Sequence, residues 1–87
     1  MVEPGNVYRH FKGGLYIIID KAIHSETQET LILYAAILDT DDKSIEDIGR
    51  AWDKNPIWAR PERMFTEFIT RDGKTFPRFS RVNEDEF

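Results

Sequence analysis

The sequence predicts a mainly β fold: a small, strongly bent antiparallel sheet closing toward a barrel, with one short inserted helix. Three observations lead there. Two long apolar runs, Leu15–Ile23 and Thr30–Leu38, show no helical rhythm and are bounded by turn residues, the pattern of strands packed on both faces. An Asp72-Gly73 pair separates two short runs, Thr66–Thr70 and Thr75–Phe79, as in a hairpin closed by a type I′ turn. Finally, 87 residues are too few for a sandwich of two full sheets. A chain of this size hides only roughly 60% of its unfolded surface. A bent sheet then buries Tyr16, Ile17, Ile19, Leu31, Leu33, Ile37, Trp58, Phe65 and Phe68 with the least chain.

Taken in order, residues 1–6 are a lead-in with a Pro-Gly pair and no periodicity, and 7–82 form a single domain. Val7–Phe11 reads as a strand. Lys12-Gly13-Gly14 turns it back, because adjacent glycines supply positive φ at little steric cost. Leu15–Ile23 is rich in β-branched and aromatic residues. His24–Glu29 is a polar turn, and Thr30–Leu38 returns as a central strand. Residues 39–56 form an acidic insertion in which Ser44-Ile45-Glu46-Asp47 has the form of a capping box, with Ile45, Ile48 and Trp52 on one helical face. Asn55-Pro56 stops that helix, since the residue before proline is pushed out of the α region. Ile57–Arg60 is a brief strand, and Pro61-Glu62-Arg63-Met64 suits one helical turn opened by proline. Pro77 marks the last strand as an edge. From residue 83 the chain is an acidic tail, with fraying expected from Arg81.

The absence of Cys excludes disulfides, a thiol nucleophile and Cys-based zinc sites, and only two His are present, which argues against an all-protein metal centre. No cofactor is expected. No apolar run approaches the ~18 residues of a membrane span and no leader pattern opens the chain, so a cytoplasmic protein is expected. The net charge of −4 conceals a division. Asp39 to Asp53 holds six acids, whereas Arg60 to Arg81 holds six basic residues against three acids. A basic body with acidic appendages suits an anionic ligand, and ordinary solvated surface is the plainer reading.

The residues Tyr8-Arg9-His10-Phe11-Lys12-Gly13-Gly14-Leu15-Tyr16, His24-Ser25-Glu26-Thr27, Tyr34, Trp58-Ala59-Arg60-Pro61 with Met64-Phe65, Asp72-Gly73-Lys74 and Pro77-Arg78-Phe79 occur in an order that resembles the small bacterial and phage domain of unknown function 1653. The resemblance runs from Tyr8 to Phe79. It implies a compact β-rich, SH3-like domain and no established reaction or ligand. The chain departs from the family pattern at residues 39–56, where a short Gly-rich turn would be expected.

Three clusters carry candidate chemistry. His24, Ser25, Glu26 and Thr27 present an imidazole, two hydroxyls and a carboxylate within one turn, for acid–base work or anion binding. The competing reading is that these side chains satisfy their own turn. His24 and Ser25 are adjacent, which on a strand sends them to opposite faces and argues against a Ser-His nucleophile. Tyr8, His10 and Lys12 share one face of the first strand, an aromatic ring beside two donors, with the backbone of Gly13 and Gly14 open to a phosphate. They are not a P-loop, lacking Gly-Lys-Ser/Thr and a following helix. Trp58 and Arg60 share a face on which a guanidinium can stack on a ring or fork onto an anion. Otherwise Trp58 is core and Arg60 pairs with Glu26 or Glu62. Trp52 with Ile45 and Ile48 suits a barrel cap or an oligomer contact.

The leading expectation is a noncatalytic module that binds a small anionic or nucleotide-like ligand in one polar cleft, sequestering a nucleotide signal if the chain is phage-encoded. Its residues are Tyr8, His10, Lys12, His24, Ser25, Glu26, Thr27, Trp58 and Arg60. The net charge argues against duplex nucleic acid as partner. The rival expectations are a protein-interaction or oligomerisation module acting through the acidic insertion, and a small hydrolase using His24 or His10 with Glu26.

Overall fold

The computed structural model describes residues 2–37 and 56–83. Among them the chain forms β1 (Val7–His10), β2 (Leu15–Ile23), β3 (Thr30–Ile37), β4 (Trp58–Pro61), the single-turn helix α1 (Glu62–Phe65), β5 (Phe68–Arg71), β6 (Lys74–Pro77) and β7 (Phe79–Val82). One antiparallel sheet has the order β4-β3-β2-β1-β7, and β5 pairs with β6 in a separate two-stranded ribbon. The fold is mainly β, as expected, with one strongly curled sheet and one short described helix. The helix expected within Ser44–Trp52 and the tail from Glu84 lie outside the described residues.

A bulge and a ring cluster reveal the curl. In the β2–β3 ladder Ile18 faces Tyr34, but Asp20 faces Leu33, so Ile19 is the extra residue. Such an insertion bends its strand and increases the local twist. A flat sheet would hold β3 and β7 three strand spacings apart, about 14 Å. Yet the rings of Tyr34 on β3 and Phe79 on β7 have centroids 5.7 Å apart. The sheet has therefore rolled into a half-barrel with these rings on its inner face. That face carries Tyr8, Ile18, Ile32, Tyr34 and Phe79, joined by Val2 from the lead-in and Phe65 from α1. The outer face carries Val7, Leu15, Ile17, Ala35 and Val82. Because β2 and β3 are apolar on both faces, their sequences read as continuous hydrophobic runs.

One turn of helix has no stability of its own, and α1 is held by its neighbours. Phe65 is 1% exposed and stacks on Phe79 with centroids 4.1 Å apart. Thr66 closes the turn, its N–H and its hydroxyl both donating to the Glu62 carbonyl. Glu62 pairs with Lys21 at 3.9 Å, and Arg63 pairs with Glu29. Proline opens the turn, but Pro61 stands at the N-cap, one residue earlier than expected. The lead-in is also fastened, since Gly5 donates to the Ile18 carbonyl and Ile18 donates to that of Asn6.

The structure corrects three expectations. The single last strand Thr75–Phe79 is two strands, β6 and β7, with Arg78 between them. Far from fraying at Arg81, β7 pairs with β1 through Val82. Phe79 and Val82 are three residues apart, so they point to opposite faces and leave no alternation to read. Trp58 and Phe68 are not core: they are 52% and 67% exposed, Trp58 on an edge strand and Phe68 on the ribbon. Their places belong to Tyr8, Ile18, Ile32, Tyr34, Ala35 and Phe79. The expected Asp-Gly turn stands, with positive φ at both Asp72 and Gly73 as type I′ requires.

Candidate functional site

The inner face gathers basic groups around aromatic rings at the end of β1. The strand stops at His10, and the chain turns back through a hydrogen bond from Gly13 to the His10 carbonyl (2.7 Å) and one from His10 to the Gly14 carbonyl (2.8 Å). The two glycines serve different needs. Gly13 has φ +106°, a conformation that side chains resist, whereas a Cβ on Gly14 would come within 3.2 Å of the Tyr16 ring. The Lys12 backbone N–H donates to His10 Nδ1 at 3.1 Å, so the neutral imidazole carries its proton on Nε2.

The His10 ring lies 4.5 Å from that of Phe11, 5.0 Å from Phe79 and 6.5 Å from Tyr16. Burial lowers its pKa from the ordinary histidine value, and the charges of Arg78, Arg60 and Lys12 lower it further. Arg60 reaches across from β4 to place its guanidinium 5.7 Å from the centroid of Phe79. A flat sheet would keep these two edge strands about 19 Å apart. Closure of the half-barrel therefore creates this end of the site. Arg78 ties the ribbon to it. The Arg78 N–H donates to the Glu67 carbonyl, its carbonyl accepts from Phe11, and its guanidinium grips the Glu67 carboxylate at 2.6 and 2.7 Å.

The expected single cleft divides into separate neighbourhoods. His10, Lys12, Trp58 and Arg60 belong to this end of the inner face. His24, Ser25, Glu26 and Thr27 lie beyond the other end of β2, about 26 Å along the strand from its start. There, His24 Nδ1 accepts from the backbone N–H groups of Glu26 and Thr27, and the Thr27 hydroxyl accepts from Glu29. His24 thus meets Glu26 through the backbone rather than the carboxylate. Ser25, Glu26 and Thr27 are exposed. Tyr8 packs against Phe65 in the inner-face cluster and also lines an open groove of about 490 Å³ with Val2, Glu62, Arg63 and Thr66. Burial raises the Tyr8 pKa, opposed by Arg81 and assisted by Glu3.

Arg60 takes neither of the acidic partners weighed for it, since Glu62 pairs with Lys21, and it stacks on Phe79 rather than on Trp58. Lys12 and Phe11 leave the expected strand alternation because they already belong to the turn, so Phe11 packs beside His10. Pattern reading missed Phe79, Arg78 and Arg71 as members of this neighbourhood. Their one local signal was the basic surplus of the last third of the chain. Among the described residues, no group of three or more His, Asp or Glu side chains is placed to hold a metal ion, and no helix is long and apolar enough to cross a membrane.

A family model described as a protein of unknown function, DUF1653, matches residues 6–81. The chain is also similar to the crystal structure of a DUF1653 protein from Bordetella bronchiseptica, with 28% sequence identity and a TM-score of 0.65 over 92% of this chain and 86% of that one. No curated protein matches the chain.

Proposed function

Given that the chain belongs to the DUF1653 family, whose description carries no activity, we propose that it is a noncatalytic binding module for a small anionic, nucleotide-like ligand held on the inner face of the half-barrel. The observation that supports this reading is the state of Arg60. Its guanidinium is braced on Phe79, and it has no ion pair with a carboxylate among the described residues. A guanidinium held by a ring keeps its donors directed and ready for a phosphate or carboxylate. Trp58 shares the face of Arg60 two residues away and is 52% exposed, which supplies a surface for a planar base. His10, whose ring packs on the same Phe79, carries an Nε2–H. Lys12 adds charge.

The test is thermal unfolding in the presence of a panel of mononucleotides, cyclic nucleotides and simple organic anions. A ligand at a hundred times its Kd stabilises by about 2.7 kcal/mol, a readable rise in melting temperature. Arg60→Ala and His10→Ala are expected to remove the rise, whereas His24→Ala leaves it in place. No rise with any member of the panel overturns the reading.

A further inference from the structure

The cations of the inner face extend well past Arg60. From its guanidinium a row of rings runs through Phe79 to His10 at 5.0 Å and on to Phe11 at 4.5 Å. Phe11 carries two more cations, the Arg71 guanidinium at 5.1 Å from its centroid and the Lys12 ammonium at 5.8 Å. Its ring is seated on Phe76 of the ribbon at 5.6 Å. Lys74 faces Arg71 across that ribbon, on the same side. Arg60, Lys12 and Arg71 share one property: none has an ion pair with a carboxylate among the described residues. Of the described acids, Glu67 is engaged by Arg78 and Glu62 by Lys21, while Asp72 adjoins Arg71 in the hairpin turn without an ion pair to it.

This spacing decides what kind of anion fits. Three rings lie between Arg60 and Arg71 in this series of contacts, so the two guanidiniums stand at its two ends and offer separate places for phosphates. We infer that the row is a track for a short single-stranded nucleic acid, with successive phosphates on Arg60, Lys12 and Arg71 and a base laid on the exposed face of Trp58. The inference rests on the small-anion reading above and extends it from one phosphate to several. Cations at both ends of a ring series, with an exposed indole beside them, suit a single strand, whose bases are free to stack while its backbone follows positive charge. A duplex has its bases already stacked, and the acidic appendages of the chain oppose its dense charge.

Binding of fluorescein-labelled oligothymidylates, followed by anisotropy at several salt concentrations, tests the track. Affinity is expected to rise from thymidine monophosphate through the dinucleotide to the tetranucleotide and then to level off. For about three phosphates neutralised, log K is expected to fall with log salt at a slope of about −2. Arg71→Ala and Lys12→Ala each flatten that slope by about 0.7, and Arg71→Lys restores it. Both side chains are exposed, so the melting temperature of each variant stays near that of the parent and reports that it is folded. Equal affinity for the mononucleotide and the tetranucleotide overturns the track while leaving the small-ligand reading intact. Tighter binding of the tetranucleotide over a weak mononucleotide response supports the track, and no binding of either removes both readings. Equal competition by polyphosphate of the same charge shows a site for any polyanion and overturns the assignment to nucleic acid.

Discussion

His10 and His24 stand beyond opposite ends of β2, each at a turn and each with Nδ1 accepting a backbone N–H from residues just ahead of it. In sequence they are alike, a histidine with a charged residue two positions on, Lys12 or Glu26. Their surroundings separate them. Around His24 the hydrogen-bonding groups close on their own turn, and the adjoining Glu29 already holds Arg63. Around His10 three aromatic rings crowd the imidazole, and two of the nearby cations, Arg60 and Lys12, have no ion pair with a carboxylate among the described residues. A polar cluster becomes a binding site when folding leaves its charges directed and unmatched, and it remains a turn when the local backbone absorbs them.

The largest way to break this contrast is to remove the ring that builds the His10 end. Phe79→Ala deletes a buried side chain that touches Phe65, Tyr34, Tyr16 and His10. It is expected to cost about 3–5 kcal/mol in urea unfolding. Phe68→Ala, on a ring 67% exposed, is expected to change stability by less than about 0.5 kcal/mol. Equal losses for the two would contradict the placement of the core.

Next in size is the turn of His24. Its imidazole acts there as a cap for two exposed backbone N–H groups, so His24→Ala is expected to cost about 1 kcal/mol with ligand response unchanged. Loss of that response would join the two ends into one site. A pH titration sharpens the other side. The native pKa of His10 is lowered by burial and by Arg78, Arg60 and Lys12, so the unfolded chain binds the proton first as pH falls. Stability present above about pH 6.5 is therefore lost as the pH drops through the lowered native value. His10→Gln is expected to flatten this part of the stability–pH curve, and an unchanged curve contradicts the crowded setting of His10. A small, salt-sensitive effect is expected at the Arg63–Glu29 pair, where Arg63→Ala costs at most about 1 kcal/mol and less at high salt.

Much of the fold was legible in the chain. The limits of β2, the polar turn after it, the Asp-Gly hairpin and the helical turn after Pro61 all follow from local signals: β-branched composition, glycine where φ is positive, and a proline at a helix start. The seventh strand was not, because Phe79 and Val82 face opposite sides and the acidic tail behind them masked the segment. Trp58 was misjudged for a related reason: a large aromatic residue reads as core until its strand is found to be an edge. Of the candidate site, His10, Lys12, Trp58 and Arg60 were recognisable by type, whereas Phe79, Arg71 and Arg78 were not. Nothing local connects residues separated by so much chain.

Local pattern alone thus specified the strands up to the Asp-Gly hairpin, the turns, the family and the sign of the charge in the last third of the chain. These depend on backbone conformation and composition, which neighbouring residues set. Which histidine lies among rings, and which ring Arg60 lies against, was decided by the curl of the sheet. The extra residue at Ile19 bends β2, the roll brings the two edge strands β4 and β7 together, and Arg60 then meets Phe79 across a gap that a flat sheet would never close.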